Sequence, residues 1–237
     1  MCNTIFINVA ALKQAMNVLE AIKKRRSIRK YLDIGVEWDK VQHILEAGRY
    51  APSAGNLQAW KFIVVTEEEL RHEVAKACLN QIWMEEAPVH IVICSIPERP
   101  IQHYGEAGKK YVLEDCACAA MNMMLEATEQ GLASCWVGAF DELMLRITLN
   151  IPDRATPSIV LTIGYADEQV PVPSRTVMES VTFLQKYANR IKNENMIMWN
   201  WSLEMEKQAH EAKKGLKKHL EKVRKVMKNK LDKKMKE

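Results

Sequence analysis

Apolar and polar positions alternate along this chain in two periods. In residues 16–26 the apolar side chains Val18, Leu19 and Ile22 share one helical face, and cations gather toward the C-terminal end, where the helix dipole favours them. Residues 38–50 repeat that period through Trp38, Val41, Ile44, Leu45 and Gly48, and Ala51-Pro52 ends it. Residues 60–66 and 89–96 are near-continuous apolar runs, the pattern of strands buried on both faces, with a helical stretch at 67–79 between them. Residues 109–130 form the longest core helix, apolar at Val112, Leu113, Cys116, Ala119, Met123 and Ala127, with Gly131 as its C′ residue. Two more strands are expected at 134–139 and 158–165, followed by a loop with Pro171 and Pro173. From about Phe183 the sequence turns helical and basic. Four strands interleaved with helices make a three-layer α/β (α+β) arrangement.

Composition adds little until it is divided by position. The 237 residues are 48% hydrophobic and 27% charged, as in a soluble globular protein. No apolar run reaches the roughly 18–20 residues that span a bilayer. The formal charge is +4, but residues 191–237 hold 14 Lys/Arg against 7 Asp/Glu, leaving 20 against 23 in the rest. The core is mildly acidic and the tail carries the positive excess. The expected division is an N-terminal extension at 1–15, a core domain at 16–190 and a basic helical tail at 191–237. Residues 4–12 are apolar but lack the basic lead and small-residue cleavage site of a signal peptide, and Met16 is a plausible second start. The six cysteines include one CxC pair, Cys116 and Cys118, and no CxxC, so they read as reduced, structural thiols of a cytoplasmic protein. His43, His72, His90 and His103 show no ligand spacing, so no metal site and no catalytic acid or base is assigned.

Three segments could carry chemistry. Arg25-Arg26-Ser27-Ile28-Arg29 offers three guanidiniums and a hydroxyl, a donor set suited to phosphate; alone it could equally be a solvated helix end. The segment from Ala51 through Pro52, Ser53, Ala54, Gly55, Asn56, Leu57, Gln58 and Ala59 to Trp60 combines small residues, which let a flat ligand approach the backbone, with polar groups that match a heterocycle edge. Alone it could be an ordinary loop punctuated by Pro and Gly. The third runs from Gly131 through Ser134, Cys135, Trp136, Val137, Gly138 and Ala139 to Phe140, with Pro173-Ser174-Arg175 following much later.

In order and spacing, these segments resemble the nitroreductase family over about residues 16–181. The resemblance implies a mixed central sheet flanked by helices, an intertwined homodimer, and one FMN in each of two clefts at the subunit interface. It places Arg25, Ser27 and Arg175 at the FMN phosphate and ribityl chain, and Arg29 at the N1–C2=O edge of the isoalloxazine. Arg26 belongs to the same cluster and is assigned packing or an ion pair within it. Pro52, Ser53, Ala54 and Asn56 would line the ring from the other subunit, with Gln58 as a structural partner. Val137, Gly138 and Ala139 would run beside N5. The implied activity is transfer of two electrons from NAD(P)H to a small electron-poor acceptor, a nitroaromatic or quinone, by a ping-pong mechanism. Arg29 would stabilise the charge that reduction places at N1 and O2.

The chain departs from the family pattern in two places. Ala59 stands where the family has Pro before the aromatic, and the tail is more basic than the family's. In the tail, Ala209, Ala212, Leu216, Leu220, Val223, Met227, Leu231 and Met235 recur at threes and fours among lysines. That seam reads as a partner helix or dimer arm, with contact to nucleic acid or an anionic membrane as the sharper alternative. Rival readings are reductive dehalogenation or oxidative flavin chemistry on the same scaffold, and a binding protein acting through its basic tail.

Overall fold

A computed structural model describes residues 16–190, with His210 and Lys214 beyond them. The chain forms two compact units, Met1–Val172 and Pro173–Glu237. The expected N-terminal extension at 1–15 lies outside the described residues, as does the expected basic tail at 191–237 apart from His210 and Lys214.

The first unit is built on four strands, β1 (Trp60–Val65), β2 (Val89–Ser95), β3 (Ala133–Val137) and β4 (Thr156–Gly164), in the order β1-β2-β4-β3. All three ladders are antiparallel, with a register shift between Ile93 and Cys94. The described sheet is antiparallel throughout; an isolated parallel bridge, Ser27 to Ser134, lies on the outer side of β3. Every residue of β2 is buried, as its unbroken apolar run requires of a central strand covered on both faces.

Six helices belong to this unit: α1 (Val18–Lys24), α2 (Trp38–Arg49), α3 (Glu68–Ala77), α4 (Glu98–Tyr104), α5 (Ala107–Glu129) and α6 (Glu142–Thr148). Side-chain alternation along the strands separates two cores. On one face Ile91, Ile93, Leu161 and Ile163 pack with Val41 and Ile44 of α2 and Cys116, Ala119 and Met123 of α5. On the other, Val65, Val92 and Val160 pack with Val74 of α3, Met84 and Leu145 of α6. The result is three layers, helix on sheet on helix. α5 ends as its sequence implies, with Gln130 as cap and Gly131 following at φ 76°.

Three features differ from the sequence pattern. In α1 only Ala21 is buried, while Val18 and Leu19 are 72% and 58% exposed. A seven-residue helix held by one small side chain leaves the rest of its apolar face uncovered. Leu113 of α5, grouped with the core positions, is also exposed. Short helices α4 and α6, too brief for a clear period, occupy stretches to which the sequence pattern assigned no element; α6 is started by Asp141, whose carboxylate accepts from Met144 N at 2.9 Å. In the second unit, α7 (Met178–Val181) is followed by an antiparallel bridge between Phe183 and Arg190. Among the described residues no helix is long and apolar enough to cross a membrane.

Candidate functional site

The arginine segment leaves α1 in extended conformation and runs beside β3. Asn17 caps α1, its side chain accepting from Glu20 N at 2.9 Å, and Arg25 at the other end has φ −54° and ψ 127°. Arg26 turns back on the helix: its Nη1 donates to Lys23 O at 2.7 Å and Arg25 O at 2.8 Å, covering carbonyls that a helix end leaves unpaired. Ser27 then bridges to Ser134, and Ile28 N donates to Ser134 O at 3.1 Å. Ile28 and Tyr31 are buried; the Tyr31 hydroxyl donates to Ile28 O at 2.7 Å and receives the Thr162 hydroxyl at 2.7 Å. These inward anchors fix the alternation of the strand.

Arg25, Ser27 and Arg29, two residues apart in the segment that bridges to Ser134, lie along β3. Burial pushes the Cys135 thiol up, and Arg29, a Ser27 hydrogen bond and Arg25 pull it back. Arg29 is exposed; its N–H donates to Glu168 Oε1 at 2.6 Å, and its guanidinium lies 5.8 Å from the centre of the Trp83 ring. A cleft of about 390 Å³ opens beside Arg25, lined by Lys24, Arg26, Ile28, Ser134 and Glu168. Ser134 Oγ is buried there without a hydrogen-bond partner among the described residues.

Farther along the same strand, β3 ends at buried Val137, and Gly138 and Ala139 emerge at the surface. A side chain at Gly138 would meet only the Trp136 indole, so the backbone here is approachable. Gln81 Nε2 donates to Ala139 O at 3.2 Å and Asp141 N to Ala77 O at 2.8 Å, holding the turn.

The Pro52–Asn56 loop is shaped by a 3₁₀ turn over Ala54–Asn56, with Gly55, Asn56 and Gln58 all at positive φ (57°, 55° and 49°). Ser53 Oγ accepts from Gln58 N at 3.0 Å, and Asn56 Oδ1 accepts from Gln58 Nε2 at 3.2 Å. Gln58 is thus a structural partner within the loop. The Ser53 O–H and the Asn56 amide N–H groups remain available as donors to a ligand.

Asp115 is a residue the sequence pattern did not single out. It sits on the buried face of α5, and its Oδ1 accepts from Ala54 N at 3.0 Å while Oδ2 has no partner among the described residues. Burial raises its pKa and the Ala54 N–H opposes the shift. The available signal was a lone acid beside Cys116 in an otherwise apolar helical stripe.

One chain does not assemble all three segments. Arg25–Arg29 and Val137–Ala139 share the β3 edge of the sheet, whereas Pro52–Asn56 lead into β1, the opposite edge. Three interstrand spacings, roughly 14 Å, separate those edges. Arg175 belongs to the second unit. A separate cavity of about 1260 Å³ contains none of the assigned residues; Asp33, Glu68, Glu69, Glu85 and Glu86 line it and repel phosphate. Among the described residues no group of three His, Cys, Asp or Glu could hold a metal ion.

The nitroreductase family model matches residues 22–83 and 78–165. A protein of Methanothermobacter thermautotrophicus, provisionally named NADH dehydrogenase/NAD(P)H nitroreductase, is 32% identical over 171 residues, covering 69% of this chain and 85% of that protein. The NADPH-flavin oxidoreductase of Vibrio harveyi is 25% identical over 179 residues, covering 72% of this chain and 75% of that one. Among solved structures, an FMN-dependent nitroreductase of Clostridium difficile superposes with a TM-score of 0.64 at 29% identity, covering 71% of this chain and 99% of the other.

Proposed function

This chain belongs to the nitroreductase family, and from that premise we propose that it is an FMN-dependent NAD(P)H oxidoreductase with two sites shared across a homodimer. The observation that carries this reading is the meeting of Arg25, Ser27 and Arg29 with the approachable Val137–Ala139 backbone on one sheet edge, while the donor-bearing loop lies on the other. Two copies are needed to join the halves.

The residues fit FMN by the chemistry of their donors. Arg25 and Ser27 suit a phosphate, with the unpartnered Ser134 hydroxyl in the adjoining cleft. Glu168 on the same cleft offsets part of that positive charge. Arg26 serves as a clamp on α1 and not as a ligand. Arg29 faces the N1–C2=O edge and opposes the negative charge that reduction places there. Val137, Gly138 and Ala139 offer backbone N–H groups beside N5. From the partner, Pro52 and Ala54 cover the ring and Ser53 and Asn56 donate to it. When bound, FMN supplies the atom that accepts hydride from NAD(P)H and the pair of electrons then passed to a nitroaromatic or quinone. The chain's own work is to hold, orient and charge-balance. The free described cysteines, four of five buried, suit the reducing cytoplasm.

The test is the protein itself. Purified chain is expected to be yellow, with about one FMN per chain, and to oxidise NADH or NADPH in the presence of a nitroaromatic or quinone. Colourless protein that takes up no added FMN would overturn the reading.

A further inference from the structure

Arg29 is an exposed arginine without a carboxylate on its guanidinium among the described residues. A long side chain in that situation ordinarily samples several rotamers in water. Here both ends are held. The backbone N–H is fixed by Glu168 at 2.6 Å, and the guanidinium lies over the Trp83 ring at 5.8 Å, within the range of a cation–π contact.

Trp83 is mounted rigidly. It belongs to the 3₁₀ turn Ile82–Glu86, where Met84 is fully buried and His90 Nε2 donates to Met84 O at 2.8 Å. Arg71 donates to Ala87 O at 2.8 Å and to Glu85 O. Three carbonyls around the turn are therefore pinned from α3 and β2. The indole itself packs against the Ile28, Tyr31, Ala87 and Ala133 cluster, whose Ile28 and Tyr31 stand on either side of Arg29-Lys30 in the chain. It also packs against the core on the α3 and α6 side of the sheet. The support is thus continuous from the protein interior to the guanidinium.

The kind of partner matters as much as its presence. A carboxylate at this place would hold Arg29 and cancel its charge. An aromatic face holds the guanidinium without adding a neutralising charge of its own.

We propose that Trp83 is a positioning residue for flavin reduction: its ring face orients the Arg29 guanidinium without neutralising it, and so raises the preference of the site for reduced over oxidised FMN. This rests on the placement of Arg29 at the N1–C2=O edge. Trp83 does not line the cleft beside Arg25 that would take the phosphate, so it is expected to act on the redox balance far more than on FMN retention.

The experiment uses the full-length FMN-loaded protein and measures the flavin midpoint potential by dye equilibration, with the dissociation constant of oxidised FMN by fluorescence. In Trp83→Leu the ratio of affinities for reduced and oxidised FMN is expected to fall about three- to tenfold, the worth of a cation–π contact, with oxidised FMN affinity changing less. Trp83→Tyr and Trp83→Phe, whose ring faces are weaker, are expected to fall between wild type and Leu, and they carry the test alone if the Leu variant does not fold. Arg29→Ala is expected to lower the ratio further, and adding Trp83→Leu to it to change nothing more. The proposal is overturned if Arg29→Ala shifts the potential while the Trp83 series is flat. It is equally overturned if the Trp83→Leu shift persists in the Arg29→Ala background. If Arg29→Ala leaves the potential at the wild-type value, or the wild type binds no FMN, the placement of Arg29 has itself failed and the proposal fails with it.

Discussion

His90 shows how a single side chain ties stability to pH. It is fully buried in the middle of the sheet, with Nε2 donating to Met84 O at 2.8 Å and Nδ1 left without a partner among the described residues. Burial pushes its pKa down to about 4; Arg71 adds to the shift, while the Met84 carbonyl and Glu85 oppose it. Between about 4 and the ordinary value near 6.5 the unfolded chain binds a proton that the folded chain refuses. The contribution is therefore complete above pH 6.5 and is lost as pH falls toward 4, on the order of 3 kcal/mol at most. Urea midpoints measured from pH 7 to pH 4.5 are expected to fall less steeply in His90→Gln, which keeps a donor for Met84; equal slopes in the two proteins would exclude His90 as the cause. The same residue scale shows what could be read beforehand. Arg25, Ser27 and Arg29 were legible because spacing of two in an extended segment puts them on one side. Arg26 carried two assignments because spacing alone does not tell a ligand from a helix cap; its bonds to Lys23 O and Arg25 O favour the cap. Asp115 was not legible as a site residue, because it acts through a contact distant in sequence, to Ala54, and the contact of Trp83 with Arg29 was hidden for the same reason.

At the level of elements, the strands and the long helices followed from period alone, since burial on one face or two writes itself into the sequence. Boundaries moved by a few residues where capping, not hydrophobicity, decides them: β4 begins at Thr156 and α5 at Ala107. The corner between α4 and α5 was hidden, because it depends on glycine. Gly105 turns the chain at φ 60°, Gly108 N donates to Gly105 O at 2.9 Å, and a methyl on Gly108 would fall on the Pro100 backbone. Backbone cannot yield as a side-chain tip does, so Gly108→Ala must push the two helices apart. We expect a cost of about 2 kcal/mol, typical of overpacking, seen as a drop of several degrees in the thermal midpoint. Tyr104 at the end of α4 stands where a methyl on Gly55 would strike its hydroxyl. The same variant is therefore expected to weaken FMN binding through the loop. An unchanged midpoint would show that the corner relaxes freely.

For the whole molecule, the sheet order β1-β2-β4-β3 is the decisive fact, and it was invisible in the linear sequence. Periodicity names strands but not their neighbours, so the separation of the Arg25–Arg29 and Pro52–Asn56 segments onto opposite edges emerges only once the strands are paired. The open apolar faces of α1 and α5, with Val18, Leu19, Ile22 and Leu113 exposed, supply surface that a second copy could cover. The homodimer proposed above is expected to bury more than the roughly 1,600 Å² of a standard complex, as obligate dimers do. Its sites can be tested by complementation. An Arg25→Ala, Arg29→Ala chain and a Ser53→Ala, Asn56→Ala chain are each expected to lose most FMN, since every site in either homodimer is defective. A heterodimer of the two contains one site with both defects and one with neither. Isolated by two affinity tags, it is expected to hold about half the FMN of the wild-type dimer, a consequence of two-fold symmetry alone. Sites contained within one chain would leave the heterodimer as empty as its parents. Sedimentation with flavin absorbance followed in the same run supplies the second check, because a flavin-loaded monomer would break the shared-site arrangement whatever the heterodimer shows.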